Sequence, residues 1–375
     1  MRDSRLDQLA AVLVNYSTAV KKGDLVRIGG NAVSLPLMEA LHVKVLQAGG
    51  FPYFDIATDT LTEDRFRFSS DEQLSFVNPL TMFAVEKMDV YFGIGGDGNT
   101  RALTNVPPAK QALASQARKP FLHRLLERAA KGELRWTATQ FPSAAAAQDA
   151  EMSQHEYADF VFRAGLLHLP DPVAAWRALS EKQQRLVDLL NKAKEIRVLG
   201  QGTDLRLAVE GRTWINCDGH ENFPDGEVFT GPIEDATEGS IRYSFPAVYH
   251  GRECQDITLT FKAGKVVDAR ASKGQEFLHH MIDQDAGGRI LGEFAIGTNF
   301  GITRYTKNTL FDEKIGGTCH AALGAAYPET GGKNQSGLHW DMVCDLRAPG
   351  RKILVDGKPL LENGRFLNPD FPNAS

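Results

Sequence analysis

The hydrophobic period of this chain changes once, near residues 170–190, and that change restricts its fold more than any other feature. Before it, apolar runs of strand length alternate with segments whose apolar residues recur at helical spacing. Residues 5–20 carry Leu6, Leu9, Leu13, Tyr16 and Val20 on such a spacing. Residues 24–30 read as a short strand, and 35–50 as a helix closed by Gly49–Gly50. Strands are expected at 51–58, 89–95 and 133–141, with a helix at 120–131. Alternation of this kind predicts a parallel sheet with helices on its faces. A long amphipathic helix then spans 172–194, with Leu179, Leu186 and Leu190 on one face. Beyond it the period falls to two. Strands are expected around EIRVLGQG and DLRLAVEG, and hairpins turn at Ala263–Gly264 and Asp356–Gly357. The expected fold class is therefore α/β. It has an N-terminal helix-flanked α/β domain with a parallel-type sheet (1–175) and a C-terminal strand-rich α+β domain (176–375). The tail LNPDFPNAS is expected to be loosely ordered.

Composition excludes several function classes. The chain has 375 residues and a formal net charge of −5, which gives no electrostatic footprint for nucleic acid or an anionic membrane. The N-terminal residues are charged and amphipathic, unlike a signal peptide, and no segment approaches the ~18 apolar residues that cross a bilayer. Cys217, Cys254, Cys319 and Cys344 form no Cys-x-x-Cys pair, which argues against a cysteine-based zinc site and suits a reducing cytoplasm. Gly93, Gly95 and Gly98 match a dinucleotide-binding pattern after a strand. The following NTRALTNVPPAK breaks the required helix start, and no acid follows at the ribose-binding distance, so a Gly-rich turn is the simpler reading.

The second half holds oxygen and imidazole donors in strand-like or turn-like settings. His339 and Asp341 lie two apart, so in a strand they point to one face. His320 and Tyr327 lie seven apart in HAALGAAY, which in a helix again gives one face. Glu227 follows Pro224 and Gly226 at the start of a short apolar strand, and Glu313 precedes a Gly-rich turn. Glu293 is a carboxylate inside the apolar run RILGEFAIG; burying it is costly unless it is paired, protonated or bound to a cation. Each of these residues alone also suits an ordinary solvated turn or strand edge. Together they form a donor set without thiolate, which suits zinc, cobalt or manganese and a pair of ions bridged by a carboxylate.

The blocks PDGEVFTGP, LGEFAIG, NTLFDEK, CHAALGAAYP and HWDM, in that order, resemble the thermophilic-type metallo-aminopeptidases (aminopeptidase T-like). The resemblance covers most of the chain and concentrates in residues 222–345. It implies metal ligation by Glu227, Glu293, His320, Tyr327, His339 and Asp341, with Glu313 as a further ligand or the proton carrier. It also implies a metal-binding catalytic C-terminal domain, two divalent metal ions (Zn, Co or Mn), a peptide substrate with a free N-terminus and a homodimer enclosing an internal space. The expected mechanism is attack of a metal-bound hydroxide on the scissile carbonyl. Glu293 would bridge the ions, Glu313 would act as general base and then acid, and Tyr327 would ligate or donate to the oxyanion. The segment between Tyr327 and His339 looks short for the family, and the loop before His320 differs in length, which bears on the pocket outline. Two alternatives are an iron-dependent ring-opening dioxygenase on the same scaffold, which needs fewer ligands, and a non-catalytic binding protein, which would have lost some. His220, His279, His280 and Arg304 are read as turn, helix-surface or packing residues.

Overall fold

The computed structural model describes residues 3–249 and 251–374. The chain packs as two compact units. One comprises the residues up to Val173 joined by Gly219–Phe223; the other comprises Ala174–Asp218 and the residues from Pro224 onward.

The first unit is built on a five-stranded sheet in the order Phe51–Ala57, Leu25–Asn31, Val90–Gly95, Arg135–Gln140, Asn222–Phe223, with every pairing parallel. Val26, Ile28, Val90 and Phe92 bury its centre. The helix Leu35–Gln47 links its first two strands and ends at Gly49, whose φ of +84° only glycine adopts without strain. The N-terminal helix is shorter than expected, Ser4–Val12, and continues as a π-helical turn Leu13–Ser17. The helix expected at 120–131 starts earlier and runs Pro108–Ala130, with Pro120 inside it. After Val90–Gly95 the chain passes through bends before that helix begins, so Gly93, Gly95 and Gly98 do not open a helix. The helices Asp59–Phe68, Asp71–Ser75 and Pro79–Lys87 had no clear apolar period. Their starts are marked instead by side-chain caps from Thr58, Ser70 and Asn78.

In the second unit, the helix Pro172–Leu190 buries Trp176, Gln183, Leu186, Val187 and Leu190. An eight-stranded antiparallel sheet contains both expected hairpins. Their turns have consecutive positive φ values, +47° and +78° at Ala263–Gly264, +48° and +78° at Asp356–Gly357, which match the right-handed strand twist. A second antiparallel sheet has the order His339–Asp345, Thr318–Gly324, Leu291–Gly297, Glu227–Thr230, Ile215–Cys217.

Two expectations are overturned here. The HAALGAAY segment is not a helix: Thr318–Gly324 is a fully buried strand paired on both sides, and Tyr327 lies beyond its end at a 3-10 turn. Alanine-rich composition favours a helix, but two flanking strands supply every ladder bond and override that preference. The tail is not loose either. Phe371 is buried against Phe366, and Asn373 bonds both backbone groups of Phe366. Ser375 lies outside the described residues.

The two hairpin glycines share a φ of +78° but differ in surroundings. A Cβ at Gly264 would meet the Glu234 carbonyl oxygen at 1.8 Å, whereas one at Gly357 meets nothing within 4 Å. Gly357→Ala is expected to cost about 1 kcal/mol from backbone strain alone. Gly264→Ala should cost roughly 3 kcal/mol, because backbone must also move. Denaturant midpoints of the two variants check this; equal midpoints would contradict it.

Candidate metal centre

Strand register decides which side chains meet. Residues opposite one another in an antiparallel pair point to the same face, and the face alternates along each strand. Glu227 lies opposite Gly297, Phe229 opposite Ala295, and Ala295 opposite His320. Ala322 sits between Glu293 on one side and Asp341 on the other, and Gly324 lies opposite His339. Glu227, Glu293, His320, His339 and Asp341 therefore share one face. The intervening positions on that face include Ala295, Gly297, Ala322 and Gly324, whose small size leaves room between the polar groups. The other face presents Val228, Phe294, Ile296, Cys319, Ala321, Leu323, Trp340, Met342 and Cys344 to the core.

Both imidazoles are oriented by the backbone. His320 Nδ1 lies 3.0 Å from the Glu313 carbonyl oxygen, and His339 Nδ1 lies 2.9 Å from that of Ala325. A carbonyl only accepts, so each Nδ1 carries the hydrogen and each Nε2 faces inward. His320 Nε2 is 3.1 Å from Glu293 Oε1 and 3.9 Å from Asp341 Oδ1. His339 Nε2 is 3.3 Å from Glu293 Oε2 and 3.5 Å from Asp341 Oδ1. An inward nitrogen lone pair facing carboxylates needs a cation between them, either a proton or a metal. Glu227 makes the same demand. It is buried, its Oε2 accepts no hydrogen bond from the described residues, and that oxygen is 3.7 Å from His320 Nδ1. Two ligand triplets, Glu293–His339–Asp341 and Glu313–His320–Asp341, each bring donor atoms within 4.8 Å of one another. The residues fit a divalent cation.

A third grouping, Cys217–Asp225–Glu227, also has its donor atoms within 4.8 Å, although no Cys-x-x-Cys pattern marked it. The fully buried Lys314 reaches into it. Its ammonium is 3.6 Å from Glu227 Oε1 and 3.9 Å from Asp225 Oδ1, and donates to Glu313 Oε1. Asp225 and Lys314 lie inside the PDGE and FDEK blocks, but nothing in composition or spacing set them apart. Gln183, another residue the sequence did not flag, holds the strand start. Its amide donates to Asn216 Oδ1 and to the carbonyls of Cys217 and Glu227, and accepts from Thr298 Oγ1.

Tyr327 is 41% exposed and packs edge-on against His339 and Phe229, with ring centroids 5.2 and 5.3 Å apart. It borders the site from a turn rather than from the helix first expected. His220 is remote in kind: it belongs to the first unit and packs on Tyr16. His279 bonds the Ala269 carbonyl oxygen from the helix Gln275–Ile282.

A family-wide sequence profile described as thermophilic metalloprotease (M29) matches residues 2–366. The chain belongs to the M29 metalloprotease family. Aminopeptidase 2 of Geobacillus stearothermophilus is 28% identical over 97% of this chain and 98% of its own length. Aminopeptidase T of Thermus thermophilus is 27% identical over 96% and 98%. The solved structure of wild-type AmpT from Thermus thermophilus superposes with a TM-score of 0.85, at 25% identity, over 97% of this chain and 99% of that one. A 2,5-dihydroxypyridine dioxygenase from Pseudomonas putida has a TM-score of 0.60 at 13% identity over 97% of each chain, a likeness of fold alone. This M29 protein is thus a hydrolase, a metal-dependent peptidase whose named relatives are aminopeptidases. No described helix is long and apolar enough to cross a membrane.

The carboxylates set the protonation of the two imidazoles. Burial opposes the charged ring of His320, but its bond to Glu293 and the charges of Glu227, Glu293 and Asp341 push its pKa up to about 10. His339 is likewise opposed by burial and driven by Asp341 and Glu293 up to about 12. Burial also raises the carboxyls of Glu227 and Glu313, against the pull of Lys314. Both imidazoles are therefore protonated at pH 7, and a metal must displace those protons. Loading zinc into the chelator-stripped protein at pH 7 should release about two protons per chain from the imidazoles, plus any held by the Glu227 carboxyl, and affinity should rise with pH. Calorimetry in buffers of different ionisation heat measures the release; a buffer-independent heat would contradict it.

Proposed function

We infer that this protein is a two-metal aminopeptidase that removes N-terminal residues from peptides. The observation that carries the reading is the sharing of ligands. Asp341 belongs to both donor triplets, and Glu293 turns one oxygen toward each imidazole. A carboxylate between two cation positions is the arrangement of a paired-ion centre. Glu227, Glu293, His320, His339 and Asp341 would hold the ions, with Glu293 bridging and Tyr327 at the rim. Oxygen and imidazole donors suit zinc, cobalt or manganese.

When bound, such ions supply Lewis acidity at the scissile carbonyl and lower the pKa of a water toward about 7. The remaining work falls to side chains. Glu313 takes the proton of the attacking water and passes it to the leaving amine. Its carboxyl is pushed up by burial and by Asp341, which suits a group that must both accept and donate near neutrality. Asp341 and Glu313 offer negative charge to the free α-ammonium of the peptide. The space beside them is lined by Ala247, Val248, Tyr305 and Val343 together with the ionisable Lys307 and Asp312, a wall of mixed polarity. Tyr327, a hydroxyl donor at the rim, reaches the tetrahedral oxyanion. Four free thiols suit a cytoplasmic setting.

Glu293→Gln should abolish metal loading and aminoacyl-reporter hydrolysis together. Glu313→Gln should retain near-normal metal while turnover falls roughly 10²–10⁴-fold. Metal analysis and reporter assays with and without chelator decide. Full turnover in Glu313→Gln would remove it as proton carrier, and a single iron per chain would favour the ring-opening dioxygenase.

The homodimer expected from the family has support in the first unit. Phe51–Ala57 is an edge strand with Phe54 and Ile56 exposed, and Phe68, Phe76, Leu80 and Phe83 are exposed on the helices that follow. An apolar sheet edge of this kind calls for a covering surface, here a second copy. Phe54→Asp should shift the sedimenting species from dimer toward monomer; an unchanged dimer would locate the contact elsewhere.

A further inference from the structure

Lys314 has no role in the chemistry above, yet it is fully buried beside the metal centre. Its backbone is fixed. The amide donates to the Phe311 carbonyl at 3.1 Å, and the carbonyl accepts from Asn299 N at 3.1 Å. Asn299 Nδ2 in turn donates to the Asp225 carbonyl at 2.7 Å, so one turn anchors the lysine and its carboxylate partner together. Gly226 permits this approach, because a Cβ there would lie 2.6 Å from Asn299 Cβ.

The compartment so formed has an unusual composition. Cys217, Asp225 and Glu227 bring three donor atoms within 4.8 Å of one another, a thiol and two carboxylates suited to a borderline divalent ion such as zinc or cobalt. The Lys314 ammonium stands 3.6 Å from Glu227 Oε1 and 3.9 Å from Asp225 Oδ1. Glu227 is thereby divided: Oε1 faces the ammonium, while Oε2 accepts no hydrogen bond from the described residues. Glu313, held by the same ammonium, faces His320 and Asp341.

Resting on the two-metal reading above, we propose that Lys314 is a positioning residue whose ammonium fills the Cys217–Asp225–Glu227 compartment, keeps a further divalent ion out of it, and leaves Glu227 Oε2 and the Glu313 carboxylate to the metal centre. A fixed point charge suits this task, since it satisfies three carboxylates without the geometric demands of a metal. The compartment is a latent thiolate-bearing cation site, closed by a side chain of the chain itself.

Cobalt(II) substitution tests this directly, because a cobalt–thiolate bond gives a near-ultraviolet charge-transfer band that oxygen and imidazole ligands do not. The wild-type protein should bind about two cobalt ions per chain without that band. Lys314→Met should take up about one more and acquire the band, and adding Cys217→Ser should remove it. Lys314→Arg, which keeps the charge, should lack the band. A band in the wild type, or a folded Lys314→Met protein with unchanged cobalt content and no band, would overturn the proposal. Should Lys314→Met fail to fold, Cys217→Ser alone decides: unchanged cobalt content supports the closed compartment, and a loss shows that the thiol already ligates. Wild-type cobalt content tests the two-metal reading separately, since the thiolate band alone reports on Lys314.

Discussion

Carboxylates on the buried face of a sheet repel one another and lose their hydration, so the strands that carry them persist only if positive charge lies between them. In this chain Glu227 and Glu293 are almost fully buried, and Asp341 is close beside them. Lys314 and the two imidazoles supply compensating positive charge from the chain itself. Divalent ions held by these donors would displace the imidazole protons, and on the proposal above would leave the lysine in place. Metal binding, the ionisation of Glu227 and Glu313 and the rigidity of the centre are therefore one coupled equilibrium rather than separate properties.

The same sheet is held in register by its opposite face. Phe294, Ile296, Leu323, Trp340 and Met342 are buried in the core, so a slip of one residue would exchange Glu293 for Phe294 and expose apolar surface. Core packing thus sets the position of each candidate ligand to within a residue, and the backbone carbonyls of Glu313 and Ala325 set the ring orientation of each histidine. Gln183 adds a cross-tie from the long helix to the strand that starts at Glu227. A ligand set placed on strands and locked by a packed face is more tightly defined than one carried on loops.

The likeness in fold to a 2,5-dihydroxypyridine dioxygenase shows that this scaffold does not dictate its chemistry. What places this chain among the M29 proteins is the match of the family profile along residues 2–366. The two activities place different demands on a metal: one needs open positions for oxygen chemistry, whereas the aminopeptidase proposed above would use a pair of ions about a shared carboxylate. The arrangement of Glu293 and Asp341 between two imidazoles favours the second.

Local chemistry made part of this legible from the sequence. Period-two alternation and turn dipeptides gave the hairpins at Ala263–Gly264 and Asp356–Gly357, and the His-x-Asp spacing put His339 and Asp341 on one face, because both depend only on neighbours along the chain. The buried Glu293 stood out for the same reason, a charge in an apolar run. The Thr318–Gly324 strand was misjudged as helix because its alanines favour helix locally, and only two flanking strands reverse that preference. Tyr327 accordingly meets His339 from a turn. Gln183 carried no sequence mark, and Asp225 and Lys314, though inside resembling blocks, were not singled out by composition or spacing, since a lysine becomes a buried counter-ion only when distant segments close around it. The amino-acid order determined which groups were available and which strands could carry them. Their convergence, protonation and division of labour were decided by strand pairing and burial, because electrostatic coupling depends on distance and dielectric, and neither exists before the chain is folded.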